Sequence, residues 1–250
     1  MDRLIYTAMS GANHTLNQQA TVSHNLANAT THGYRAQLNA FRAVPIVAAD
    51  GSGAGTSLAT RAFVVDATAG SDFTPGAIQQ TGRDLDVAIE GQGFIAVQLE
   101  DGSEAYTRNG SLQISVNGQL QTRSGVNVLG DGGTIAIPPD GRVSIARDGT
   151  VAIAKEGQKA ISAAGRIKLV NPSESQMVRG DDGLFRLRDG SEAEVDNKVA
   201  LLSGALEGSN VNLVEEMVNM IALARQFETQ MKLLQTAEDN ARRASELLKV

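Results

Sequence analysis

Asn212-Leu213-Val214-Glu215-Glu216-Met217-Val218-Asn219-Met220-Ile221-Ala222-Leu223-Ala224-Arg225-Gln226-Phe227 opens a segment whose apolar side chains recur at alternating steps of four and three. The series runs Leu213, Met217, Met220, Ala224, Phe227, Met231, Leu234, and Ala241 and Leu248 continue it by sevens. That is a heptad seam, interrupted where Glu238 and Ser245 fall on it. Asn212 stands three residues before Glu215, which predicts an N-cap and its partner acid. Glu215 and Glu216 in the first turn and Lys249 near the end complement the helix dipole. Glu228–Lys232, Glu238–Arg242 and Asp239–Arg243 are charge pairs at i,i+4 in the favourable order. With no proline from 213 to 248, the spacing predicts one helix on the order of 50 Å long.

The other end of the chain answers it. Leu4, Ala8, Ala12, Leu16, Val22 and Leu26 lie along one stripe of a second proline-free stretch, residues 4 to 31. No charged residue occurs between Leu4 and Tyr34. A solvated helix carries charge on its outer face; this one has small and neutral residues all round. Gly33 is expected just past its end, in a left-handed C′ position. A lone helix gains little stability in water, and burying one apolar side chain contributes roughly 1.5–3 kcal/mol, so the two seams are expected to pair. A closed hairpin in a monomer would satisfy them. The uncharged first helix suits a hairpin that also packs against neighbouring subunits. Asn25, Leu26 and Asn28 are the expected helix-end contact, with local capping as the plainer role for the two asparagines.

Between the ends the period changes. Residues 36–77 are rich in Ala and Gly and read as an extended connector, with Asp50-Gly51-Ser52-Gly53-Ala54-Gly55 as a flexible loop. From 78 onward apolar residues alternate: Leu85/Val87/Ile89, Phe94/Ala96, Leu112/Ile114/Val116, Val143/Ile145. Asx-Gly pairs follow at 101–102, 109–110, 117–118, 140–141, 148–149, 182–183 and 189–190. Asx-Gly between alternating segments signals a hairpin. The fold class expected is α+β. Residues 1–35 with 209–250 form a coiled-coil-like pair of long terminal helices, and 78–208 form an inserted antiparallel all-β domain.

Composition narrows the chemistry. Hydrophobic residues make up 42% and aromatic ones only 4%, which predicts an aliphatic, small-residue core. The net charge of −6 argues against nucleic acid, which needs a clustered basic surface. There is no cysteine to build disulfides or thiolate metal sites. No run is apolar enough to span a bilayer, so membrane insertion is not expected. Nor does the polar start look like a cleaved leader. Gly91-Gln92-Gly93-Phe94-Ile95-Ala96 fits a dinucleotide fingerprint in letters only, because strand rather than helix follows it. The loop at 51–55 lacks the Lys-Ser/Thr of a phosphate loop. His14, His24 and His32 have no ligand spacing between them. The carboxylate pairs Asp84/Asp86 and Asp181/Asp182 fall in turns. No nucleophile, base and orienting group assemble, so no catalytic, cofactor or metal residue is assigned and no enzyme is expected.

Ser23-His24-Asn25-Leu26-Ala27-Asn28-Ala29-Thr30-Thr31-His32-Gly33-Tyr34-Arg35 resembles the N-terminal signature of the flagellar basal-body rod and hook protein family, with His24 at a position often held by Asn. Asp84-Leu85-Asp86-Val87-Ala88-Ile89-Glu90-Gly91-Gln92-Gly93-Phe94 and Tyr106-Thr107-Arg108-Asn109-Gly110 resemble two further family segments. Asn210-Val211-Asn212-Leu213-Val214-Glu215-Glu216-Met217 resembles the closing one. Together they span nearly the whole chain. Met1 to Gly11 and the stretch from Tyr34 to Pro45 are most similar to the family's proximal-rod members, with distal-rod and hook-type axial subunits next. The resemblance implies a periplasmic rod subunit that partners other rod proteins and copies of itself and transmits torque. It implies export through the flagellum's own type III apparatus without signal cleavage. It also implies terminal helices lining an inner tube; the β domain is expected to form the outer layer, with residues 36–77 setting its position. An oligomeric fibre or adhesin-like module is the reading from another class.

Overall fold

The computed structural model describes residues 2–45, 62–138, 141–155 and 161–247. The chain forms paired terminal helices with a central antiparallel β domain between them. By contact it divides into two compact units: 1–27, 37–70 and 212–250 in a helical unit, and 28–36 with 71–211 in a β unit.

In the helical unit, α1 spans Asp2–Ala27 and α2 spans Leu213–Leu247. They pack along each other and run antiparallel, since Asn25 meets Glu216 while Thr15 meets Gln230. Asn212 caps α2 as its position predicts: its Oδ1 accepts from the N–H groups of Val214 (3.2 Å) and Glu215 (3.4 Å). Of the three charge pairs, Glu238–Arg242 closes, at 3.4 Å. The strands Gln37–Pro45 and Ala62–Ser71 pair in a two-stranded sheet within the segment that composition suggested was an extended connector. The glycine-rich loop at 50–55, Asp140, Leu248 and Lys249 lie outside the described residues.

Gly33 departs from its expected place. α1 stops at Ala27, six residues earlier, and Asn28–Thr31 closes a turn (Thr31 N–H to Asn28 O, 3.0 Å). Gly33 does adopt a positive φ of 68°, but for a different reason. A Cβ there would lie 2.4 Å from the Arg108 carbonyl carbon. The residue lets the chain pass against the backbone at Arg108 and Asn109 rather than ending the helix.

The β unit is built on short antiparallel strands. Its main sheet runs in the order Met177–Arg179, Phe185–Leu187, Glu104–Thr107, Phe94–Gln98, Asn127–Gly130, Leu120–Thr122, Leu112–Ile114. Gly141–Ile145, Thr150–Lys155 and Ile161–Arg166 form a three-stranded sheet. Ala200–Ser203 pairs with Val87–Glu90, and Ala205–Glu207 with Ile78–Gln80. Phe94–Gln98 is central: Ile95 and Val97 face an aliphatic core with Val87, Ile89, Leu112 and Leu120. Phe94 and Ala96 face a second core with Tyr106, Met177 and Phe185. The first core matches the aliphatic expectation. The second is aromatic: Phe73, Phe94 and Phe185 sit with ring centroids 5.4–6.2 Å apart. Few aromatics in the chain does not mean few in one place.

Most of the Asx-Gly pairs make turns of one kind. Gly102, Gly118, Gly149 and Gly183 each donate to the carbonyl three residues back and take φ between 76° and 86°, a type I turn followed by a left-handed glycine. Asn109-Gly110 is different. Gly110 lacks the positive φ, and a Cβ on it would meet the Val87 carbonyl oxygen. The alternation at Leu112/Ile114/Val116 also ends early. Leu112 is buried, Ile114 is 38% exposed and Val116 fully exposed, because the strand stops at Ile114.

Candidate assembly site

α1 presents small and polar residues to α2. Among its described side chains Ala12, Thr15 and Asn25 are buried, and Ala8 and Val22 are half-buried. Leu16, expected on this stripe, is 46% exposed. Thr15 takes its place, its hydroxyl donating to the Gly11 carbonyl (3.0 Å). Gly11 lies against the Gln230 side chain, where a Cβ would sit 3.1 Å from Nε2. Small residues let the helices approach closely, so the inner face is narrower than an aliphatic stripe.

On α2 the paired face keeps Met220, Ala224, Phe227 and Leu234 of the apolar seam and takes Glu216, Leu223 and Gln230 beside them. Glu216, Met220, Leu223, Phe227, Gln230 and Leu234 are half-buried, and Ala224 shares the edge. Leu213, Met217 and Met231 are exposed, at 45%, 47% and 39%. Val214, Val218 and Ile221 beside them are 57–70% exposed. α2 therefore carries two apolar faces, and periodicity read their sum as one seam. Leu4 and Ala241 belong to α1 and α2 by sequence.

The two asparagines of the helix-end motif divide their roles. Asn25 is 2% exposed. Its Oδ1 accepts from the Gln37 N–H (2.8 Å), and its Nδ2 donates to the Gln37 carbonyl (3.0 Å) and to Glu216 Oε1 (2.8 Å). The amide thus acts as a strand partner for Gln37 and ties α1, α2 and the following strand together. Asn28 closes its turn: its Oδ1 accepts from the Thr31 hydroxyl (3.2 Å). Leu26 is half-buried.

In the β unit the Gly33-Tyr34-Arg35 and Tyr106-Thr107-Arg108 segments meet at one carboxylate. Arg35 Nη2 lies 2.8 Å from Glu207 Oε1, and Arg108 Nε 2.7 Å from Glu207 Oε2. All three side chains are at most 3% exposed. Arg108 also donates to the carbonyls of Gly91 and Gly93 (both 2.8 Å), and Arg35 to that of Thr74 (2.7 Å). Burial, then the nearby Arg108 charge, lower the Arg35 pKa from the ordinary arginine value. Arg179 donates to the Arg35 carbonyl (2.7 Å) and stacks 4.3 Å from the centre of the Tyr34 ring. Asn210 closes the arrangement. Its Oδ1 accepts from the Ala36 N–H (2.7 Å), and its Nδ2 donates to the Asp72 carbonyl (2.9 Å).

Sequence reasoning did not single out Glu207. Its only local signal is a carboxylate in a short apolar strand, and two arginines in distant motifs become its partners only through the fold. A cleft of about 910 Å³ lies beside Arg35 and Arg108, but both guanidinium groups are engaged by Glu207 and backbone carbonyls. Among the described residues no cluster of three His, Cys, Asp or Glu could hold a metal ion, and no helix is long and apolar enough to cross a membrane. Gly91 and Gly93 form a tight turn into the strand Phe94–Gln98, with φ of 86° and 129°.

Three family descriptions match successive parts of the chain. Residues 5–35 match "Flagella basal body rod protein". Residues 88–153 match "Flagellar hook protein FlgE/F/G D1 domain". Residues 202–247 match "Flagellar basal body rod FlgEFG protein C-terminal". The chain is 49% identical to the flagellar basal-body rod protein FlgF of Escherichia coli (strain K12) and 47% identical to that of Salmonella typhimurium, over 99% of each chain. The rod protein FlgG of Buchnera aphidicola subsp. Acyrthosiphon pisum is 32% identical over 90% of this chain and 92% of its own.

Proposed function

This chain belongs to the FlgF family of flagellar basal-body rod proteins, and on that premise we propose how it assembles. It is a structural subunit of the rod, not an enzyme, and the family assembles with other rod subunits. The assembly interface in this reading is the set of helix faces that pairing leaves bare. Val214, Met217, Val218 and Ile221 on α2 lie at i, i+3, i+4 and i+7, and Tyr6, Met9 and Leu16 lie on α1. This doubled apolar surface carries the proposal. A helix that stays solvated places charge on its outer face, whereas these faces place valine, isoleucine and methionine there.

The neighbours are other rod proteins and further copies of this chain, and the paired helices line the tube. Contacts of one face with a different face build an open helical assembly when the rotation does not close. Torque then passes along a continuous wall of packed helices. Export in unfolded form through the flagellar apparatus fits helices whose apolar faces are completed only on assembly.

The test is substitution on the bare face. Val218→Asp and Ile221→Asp should change monomer stability by no more than about 0.5 kcal/mol, as exposed positions do, yet prevent incorporation into isolated basal bodies. Wild-type incorporation of both variants would move the interface elsewhere.

A further inference from the structure

Among the described residues, six tight turns close on a left-handed glycine that donates to the carbonyl three residues earlier: 99–102, 115–118, 122–125, 146–149, 180–183 and 187–190. Their second residue points outward and is exposed in every case. In five turns that residue is charged: Glu100, Arg123, Arg147, Asp181 and Arg188. In the sixth it is Val116, whose side chain is as exposed as a side chain can be, at 106%. The same backbone geometry accepts a charge five times, so the turn does not require valine.

Val116 is also held rigidly. Ser115 N–H donates to the Gln119 carbonyl (2.8 Å), Gln119 N–H to Ser115 Oγ (3.1 Å), and Ile137 N–H to the Gly118 carbonyl (2.6 Å). Ile114, 38% exposed, ends the strand that leads into this turn. No charged residue occurs from Ser111 to Thr122. The tip is therefore a preorganised, uncharged apolar knob, and such a group loses little conformational entropy on binding.

We propose that the Ile114–Val116 hairpin tip is a contact point for an adjacent rod subunit, seated in an uncharged apolar hollow on that subunit's surface. Size identifies the occupant. Two aliphatic side chains cover only a small part of the roughly 1,200 Å² that a stable free-standing pair of proteins buries. The knob cannot capture a partner from solution; it fits one already held alongside by another interface. Within the family reading on which this rests, that partner is the next subunit in the rod. The absence of charge on the tip excludes an acidic or basic docking site as its complement.

The chain has no cysteine, so Val116→Cys supplies a single thiol. In the purified monomer it should react fast with a maleimide. In isolated basal bodies it should react about tenfold more slowly, because thiol reactivity follows access, while Arg147→Cys, at the equivalent position of another turn, serves as the reference for general accessibility. Val116→Asp should leave the monomer's unfolding midpoint unchanged and reduce swimming and rod incorporation. Equal labelling of residue 116 in monomer and rod, relative to residue 147, overturns the proposal, whatever Val116→Asp does to folding. Failure to find the chain in basal bodies would instead overturn the assembly reading beneath it.

Discussion

At the residue scale, Asn25 and Glu207 gather parts of the chain that are far apart in sequence. Asn25 works by hydrogen bonding alone, and its partners include the N–H and carbonyl of Gln37. Glu207 is the single carboxylate between two buried guanidinium groups. Removing one member of a buried ionic group leaves uncompensated charge, which costs about 3–5 kcal/mol. Glu207→Gln, which keeps the shape and loses the charge, should therefore lower the stability of the β unit by that order in a urea titration followed by β-sheet signal. Glu90→Gln is the control. Its Arg147 partner is 75% exposed, and loss of such a pair costs about 0–1 kcal/mol. Equal costs for the two variants would show that the buried group contributes no more than a surface pair.

At the element scale the two kinds of structure are held very differently. Strands such as Phe94–Gln98 have buried residues on both faces. Among the described side chains, α2 has no buried position and α1 has three. Opening free energy follows the amount of buried surface, and the missing surface in the helical unit is the part proposed to be supplied by neighbours. In purified monomer, amides of 2–27 and 213–247 should exchange faster than those of 94–98, and they should become protected in assembled rods. Equal protection of helices and strands in a verified monomer would contradict this. The helices and their N-cap were legible from the sequence because spacing and capping are local. The make-up of the paired face was not, since it depends on which small residues of α1 approach: Thr15 and Gly11 rather than Leu16.

At the scale of the whole molecule, repeated turn chemistry becomes a pH response. Asp101, Asp148 and Asp189 have pKa values lowered from 3.8 by hydrogen bonds from the hydroxyl and N–H of Ser103, Thr150 and Ser191. Asp182 is lowered first by its bond from Arg186. A carboxylate whose pKa is lower when folded adds stability above its unfolded value. That stability is lost as pH falls through 3.8 towards the folded value. The β unit should thus weaken on acidification below about pH 4. Asp148→Asn with Asp182→Asn should narrow the difference between urea midpoints at about pH 6 and about pH 3. An unchanged difference would place the acid sensitivity in other groups.

The sequence by itself determined two proline-free helices with caps at 212 and apolar seams, and a β middle punctuated by Asx-Gly turns. It also carried the motifs that resemble rod proteins. These signals lie in steps of two, three and four residues, set by the geometry of helix and strand. Only the tertiary structure decided that Arg35 and Arg108 share Glu207, that Gly33 serves close packing rather than a helix end, and that Val116 faces outward instead of continuing an inward alternation. Each depends on which distant segment comes to lie beside a residue. Local periodicity cannot encode that, because buried charge, close backbone approach and exposure are properties of neighbours brought in by the fold.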